Sequence, residues 1–167
     1  MRCTVIGAGA WGTTFAQVLA DAGNEVVVWS QQETTARGIT PQHVNSRYLP
    51  GVSLPESITA TTDLSAALAG AELVVVALPS HVVRSVLEPF AASVPRDAFV
   101  LSLMKGVELG TDERMSQVLA GIWDVEPARL AVLSGPNLSG EIAARQPTTT
   151  VVASESLETA FAVARAI

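Results

Sequence analysis

Gly7, Gly9 and Gly12 form a Gly-x-Gly-x-x-Gly turn between an apolar run, Cys3-Thr4-Val5-Ile6, and a helix-compatible run over 13–20. In that setting Gly7 makes the tight turn and Gly9 bares the backbone to a ligand pyrophosphate. Gly12 lets the helix lie close on the strand, and the helix's unpaired N-terminal amides face the anion. Three glycines at this spacing alone are a weak signal, because glycines cluster in many turns. A strand before them and a helix after them make a dinucleotide-binding start. Lys105 is the sharpest single residue: it follows the apolar run 99–103 and stands beside Gly106. A lysine at a strand end can pair with a substrate phosphate or polarise a carbonyl where negative charge develops. Most lysines are simply solvated surface groups, but this one's place and the scarcity of other cations nearby favour chemistry.

Gly135-Pro136-Asn137-Leu138-Ser139-Gly140-Glu141 marks a second strand end running into a helix. Its amides can hold an anion or the polar edge of a nicotinamide, with Asn137 and Ser139 adding side-chain bonds. Helix capping by Asn137, with Glu141 in the first turn, accounts for the same pattern and is compatible with it. Trp11, inside the glycine loop, reads as a wall of the crevice rather than as core. After the run 25–29 stands Ser30-Gln31-Gln32. An Asp or Glu there would hold the ribose hydroxyls of NAD, and an Arg nearby would accept the extra phosphate of NADP. Glu33 comes slightly late and Arg37 lies a helical turn further on. These residues leave NAD or NADP open, and the missing carboxylate leans toward NADP. His81 reads as a helix-start residue and His43 as a surface side chain. No His, Cys, Asp and Glu spacing suggests a metal, and no Gly-x-Ser-x-Gly elbow is present.

Positioning these residues requires the alternation of strands and helices that runs through the chain. Residues 25–29, 73–78, 99–103 and 130–133 read as strands. The 73–78 run is apolar without a break, as expected of a strand covered on both faces. Helices are expected from Thr13, over 64–69 (capped by Asp63, ended by Gly70), from Ser80, from Thr111 and over 138–145. A weaker helix fits 32–46, and a strand fits 148–152. Tyr48-Leu49-Pro50-Gly51-Val52-Ser53-Leu54-Pro55 reads as an ordered loop. The pattern is α/β, a doubly wound and mostly parallel sheet, so ligands belong outside the carboxyl ends of the strands.

The 167 residues are 49% apolar and 16% charged, which suits one core-rich domain burying roughly 70% of its unfolded surface. A net charge of −6 argues against nucleic acid, since no basic stripe exists to neutralise phosphates. The lone Cys3 has no intrachain partner and reads as a small buried apolar residue in a reduced, cytoplasmic setting. Met1-Arg2 enters the first strand directly, without a signal-peptide pattern, and the apolar runs are too short to cross a bilayer. The helical segment 157–167 stops without a cap, which leads us to expect a piece of a longer protein.

The motifs resemble those of the bacterial NAD(P)-dependent glycerol-3-phosphate dehydrogenases. The resemblance rests on Gly7-Ala8-Gly9-Ala10-Trp11-Gly12-Thr13, Tyr48-Leu49-Pro50-Gly51, Leu78-Pro79-Ser80-His81, Lys105-Gly106-Val107-Glu108 and Ser134-Gly135-Pro136-Asn137, with Glu141 and Pro147-Thr148. They stand in the family's order and spacing over essentially the whole chain. The resemblance implies a Rossmann-type cofactor domain and reversible hydride transfer between NAD or NADP and the dihydroxyacetone phosphate/glycerol 3-phosphate pair, at the entry to phospholipid synthesis. It implies that Ala10, Trp11, Gln31 and Ser139 line the cofactor, that Lys105 reaches cofactor and substrate, and that Gly135 and Asn137 touch substrate. Family members often carry Arg or His at the Gln31/Gln32 positions, a departure that bears on cofactor preference. The family has a second, helical domain with a lysine general acid/base and a phosphate-gripping arginine. Residues 1–167 are thus expected to be the NAD(P)-binding domain, essentially inactive alone; a homodimer is compatible with this. Competing readings are a dehydrogenase of 6-phosphogluconate or ketopantoate type and a non-catalytic dinucleotide-binding sensor.

Overall fold

In the computed structural model, which describes residues 1–167, β1 (Arg2–Ile6) runs through the glycine turn into α1 (Ala10–Asp21). There follow β2 (Glu25–Trp29), α2 (Glu33–Ile39), β3 (Val44–Asn45), β4 (Leu49–Ser53), β5 (Ile58–Thr61) and α3 (Leu64–Leu68). The second half adds β6 (Leu73–Val76), α4 (Val83–Leu87), β7 (Phe99–Ser102), α5 (Met115–Trp123), β8 (Leu130–Ser134), α6 (Ser139–Ala143), β9 (Val151–Ser154) and α7 (Leu157–Arg165).

Seven strands make one sheet in the order β5-β2-β1-β6-β7-β8-β9. Every pairing is parallel except β8 with β9. The chain moves outward from β1 to β2 and then crosses to β6 on the other side, so the winding reverses between β1 and β6. A crevice opens at such a reversal, because the flanking connections leave on opposite faces.

Alternate residues of the central strands feed two cores. Val5, Leu73 and Val75 pack with Phe15 and Leu19 of α1 on one face. Ile6, Val74 and Val76 pack with Leu64, Val83 and Leu119 of α3, α4 and α5 on the other. The unbroken apolar run in β6, buried at every position, follows from having both faces covered. α1 ends at Asp21 with Ala22 as its C-cap, and the φ of +87° at Gly23, one residue further on, suits glycine. The buried amide of Asn24 donates to Leu19 O and Ala166 O, both at 2.8 Å, and ties that end to the end of α7. No helix is long and apolar enough to cross a membrane.

Several expected elements shift. The 48–55 segment contains a strand, β4, paired antiparallel with β3. Pro50 is tolerated because β4 has only this one neighbour and one of its edges needs no donor. The 32–46 helix shrinks to α2, since Thr40 precedes Pro41 and adopts extended φ/ψ of −123° and 118°. α5 starts at Met115 rather than Thr111, because Val107 bridges Arg114 and closes the intervening residues into a tight excursion. Ser80 begins a 3-10 turn over Ser80–Val82 ahead of α4, and its hydroxyl caps nothing. The last strand runs Val151–Ser154 rather than 148–152. The hydroxyls of Thr148 and Thr150 instead bond the Pro136 and Ser134 carbonyls (3.3 and 3.1 Å).

Candidate functional site

The glycine turn is built by contact. Gly7 has φ +116°, and a Cβ there would come within 2.6 Å of the Ala77 carbonyl oxygen at the end of β6. A Cβ on Gly12 would overlap the Gly7 carbonyl oxygen itself, so the helix can lie on the strand only without one. Gly9 differs, since a Cβ there would meet nothing within 4 Å. Gly9 is also the N-cap of α1 and supplies no side-chain acceptor. The amides of Ala10, Trp11 and Gly12 therefore have no intrahelical acceptor and border open space. Unpaired amides at a helix N-terminus suit an anion such as a pyrophosphate.

Asn45, buried on β3, pins the turn from outside. Its Nδ2 donates to Ala8 O at 2.9 Å and to Thr13 Oγ1 at 2.8 Å. Local sequence carried no signal of this role, because the bond spans 37 residues.

A cleft of about 700 Å³ opens along the turn, within the range of cofactor pockets. Residues 7–12, Gln31 and Gln32 after β2, Tyr48 before β4, Pro79 after β6 and Lys105 after β7 line it. Trp11 is a half-buried wall, edge-on to Phe15 with ring centroids 5.6 Å apart. Gly7, Gly9, Ala10, Trp11, Gly12, Gln31 and Lys105 thus share one cleft.

Gly135, Asn137 and Ser139 do not line this cleft; they lie beyond β7, at the end of β8. Asn137 caps no helix. The N-cap of α6 is Leu138, without a side-chain bond, and Asn137 Nδ2 reaches Thr150 Oγ1 at 3.4 Å. A Cβ on Gly135 would lie 2.5 Å from Thr149 O, so the β8 end packs tightly on the approach to β9. The Ser139 carbonyl accepts a bond from Thr14 Oγ1 (3.3 Å), which joins α6 to α1.

Lys105 is exposed at the cleft. The loop it begins is held by Glu108, which Arg84 of α4 grips with two parallel bonds, Nε to Oε1 and Nη2 to Oε2, both 2.8 Å. Thr111 donates a third bond at 2.8 Å. These contacts, Arg84 first and Thr111 second, hold the Glu108 carboxyl down at about 2, with partial burial opposing them. The Glu108 bond likewise keeps Arg84 above its ordinary range. Arg37, the other cation considered near β2, is engaged by Glu33 at 2.8 Å.

A doubly wound sheet with a glycine turn and an open helix N-terminus at its switch point defines a Rossmann-type domain. A sequence profile described as the NAD-dependent glycerol-3-phosphate dehydrogenase N-terminus matches residues 2–160, and the chain belongs to that family. It is 51% identical over 162 residues to a glycerol-3-phosphate dehydrogenase (NAD(P)+) of Frankia casuarinae, covering 97% of this chain and 48% of the relative. The counterpart in Corynebacterium glutamicum is 49% identical over 150 residues, covering 90% and 45%. The crystal structure of the Coxiella burnetii glycerol-3-phosphate dehydrogenase superposes with a TM-score of 0.90 at 30% identity, over 99% of this chain and 50% of that one. The chain therefore spans about half the length of the relatives it matches. Membership in this family sets aside the 6-phosphogluconate and ketopantoate readings.

Proposed function

We propose that residues 1–167 are the cofactor-binding domain of an NAD(P)-dependent sn-glycerol-3-phosphate dehydrogenase, which interconverts dihydroxyacetone phosphate and glycerol 3-phosphate for phospholipid synthesis. The observation that supports it most is the single cleft shared by the open α1 N-terminus, Gln31 and Lys105. In this reading the amides of Ala10, Trp11 and Gly12 take the pyrophosphate, Gln31 bonds the adenosine ribose, and Trp11 walls the site against water. Bound NAD or NADP supplies or accepts the hydride. Lys105 places its ammonium where negative charge grows on the substrate oxygen, and Ser139 completes the cofactor's far edge. Gly135 and Asn137, one strand further along, touch the substrate.

Proton transfer and the grip on the substrate phosphate belong to a helical second domain. Losing a general acid/base costs about 10²–10⁴-fold in rate, so residues 1–167 alone bind cofactor and turn over essentially no substrate. The lone Cys3, buried and free of any disulfide, suits a reduced, cytoplasmic protein. Thermal denaturation with NAD and NADP titrated separately tests the reading. Saturation at about 100 times Kd adds roughly 2.7 kcal/mol of stability, and absence of a shift with either nucleotide overturns it.

A further inference from the structure

The end of β2 carries no charged side chain of its own, since Ser30-Gln31-Gln32 is neutral. The tertiary fold brings one there from the β3–β4 hairpin. Arg47 Nη1 donates to Gln32 Oε1 at 2.7 Å, and its guanidinium carbon lies 5.1 Å from the centroid of the Tyr48 ring. Gln32 and Tyr48 both line the cleft. Arg47 itself pairs with no carboxylate, whereas Arg37 is taken by Glu33. Glu33 also accepts a bond from Thr62 at 3.4 Å. A guanidinium here is held in place by a neutral amide and an aromatic face, with its charge uncompensated and most of its donors free. Such a group suits a dianionic phosphate, which it can bind through two parallel N–H bonds.

We propose that Arg47 receives the 2′-phosphate of the adenosine ribose and thereby admits NADP to the cleft, while Gln32 holds the arginine in place. The inference rests on the reading of the cleft as a dinucleotide site and adds the group that distinguishes the two dinucleotides. NAD, lacking that phosphate, leaves Arg47 on Gln32 and binds without its help. The residues already implicated at this end, Gln31 and Gln32, are neutral and cannot supply the charge.

The test is equilibrium titration of the purified protein, unaltered and as Arg47→Gln and Arg47→Lys, with NAD, NADP, 5′-AMP and 2′,5′-ADP. Arg47→Gln is expected to weaken NADP and 2′,5′-ADP by about 10- to 100-fold, the range of a hydrogen-bonded charge. NAD and 5′-AMP should stay within about two-fold, since their contacts are untouched. Arg47→Lys should recover part of the NADP affinity, because it keeps the charge and loses the fork. Unchanged NADP affinity in Arg47→Gln, or an equal loss for NAD and NADP, overturns the assignment to Arg47 and leaves the cleft reading standing. Failure of the unaltered protein to bind any of the four overturns both.

Discussion

Arg84 and Glu108 lie 24 residues apart in sequence and meet in a two-pronged pair with both N–O distances at 2.8 Å. The pair ties α4, on the β6 side of the crevice, to the loop that leaves β7 through Lys105. Glu88 at 3.4 Å and Glu113 at 3.6 Å add weaker partners around the same guanidinium. Lys105 itself makes no ion pair, so its position depends on the backbone that the clamp holds.

Loosening the clamp should therefore reach the chemistry through Lys105. On the proposed reading, Arg84→Met introduced into a two-domain enzyme containing these residues is expected to lower turnover of dihydroxyacetone phosphate by about 10-fold, with NAD affinity within about two-fold, as positional errors at a reacting centre do. Lys105→Met should cost about 10²–10³-fold, in line with removal of a group that stabilises developing charge. Steady-state kinetics alongside cofactor titration check both. Turnover by Arg84→Met equal to that of the unaltered enzyme would show that the loop holds Lys105 without the clamp.

The same pair sets an acid limit. The Glu108 carboxyl lies at about 2, against an unperturbed 4.5. A carboxyl depressed in the folded state stabilises it fully above the unfolded value and loses that stabilisation as pH falls toward the folded value. The difference in Tm between the unaltered chain and Glu108→Gln should accordingly be constant above about pH 5 and shrink between about pH 4.5 and pH 2. A difference that grows on acidification contradicts the assignment. Thermal melts across that window decide it.

Gly9 and Gly12 separate binding from folding. Gly12→Ala places a Cβ on the Gly7 carbonyl and should destabilise the chain by about 1–3 kcal/mol or more, the cost of overpacking a fitted contact. Gly9→Ala meets no atom within 4 Å. It should leave the melting temperature of the ligand-free chain nearly unchanged and abolish most of the stabilisation by NAD and NADP, because the new methyl occupies the cradle. Melting curves with and without nucleotide distinguish the two. A Gly9→Ala chain that is still fully stabilised by nucleotide would place the pyrophosphate elsewhere.

Cys3 is completely buried, and burial lifts its thiol to about 11. Only the thiolate attacks alkylating reagents. Iodoacetamide at neutral pH should therefore leave Cys3 unmodified in the native chain and label it in denaturant, as read by mass spectrometry. Rapid native labelling would show that β1 opens to solvent.

Much of the framework is legible locally. The glycine turn, the unbroken apolar run of β6 and the Asp63 cap of α3, which accepts from the Ala66 amide at 3.0 Å, are encoded by residues within a few positions of one another. Backbone propensity and hydrophobic period are short-range properties, so they survive in the linear chain. The strand-end rule then groups Gly7, Gln31 and Lys105 before any coordinate is known. β4 was hidden because its strand character comes from pairing with β3, and its Pro-Gly composition signals a loop. Asn137 fits a local cap, yet the helix takes Leu138 as its N-cap and the Asn137 amide donates instead to a hydroxyl 13 residues away.

By itself, then, the sequence determined the alternating elements, the two-sided burial of the sheet and the family to which the glycine turn and strand-end motifs belong. Tertiary structure decided which polar side chains serve the cleft: Asn45 on the glycine turn, Arg84 on Glu108 and Arg47 on Gln32. Each of these bonds joins residues 15 to 37 positions apart in sequence. Their formation depends on the order in which the sheet winds, and a polar residue's own neighbours in sequence carry no record of that order.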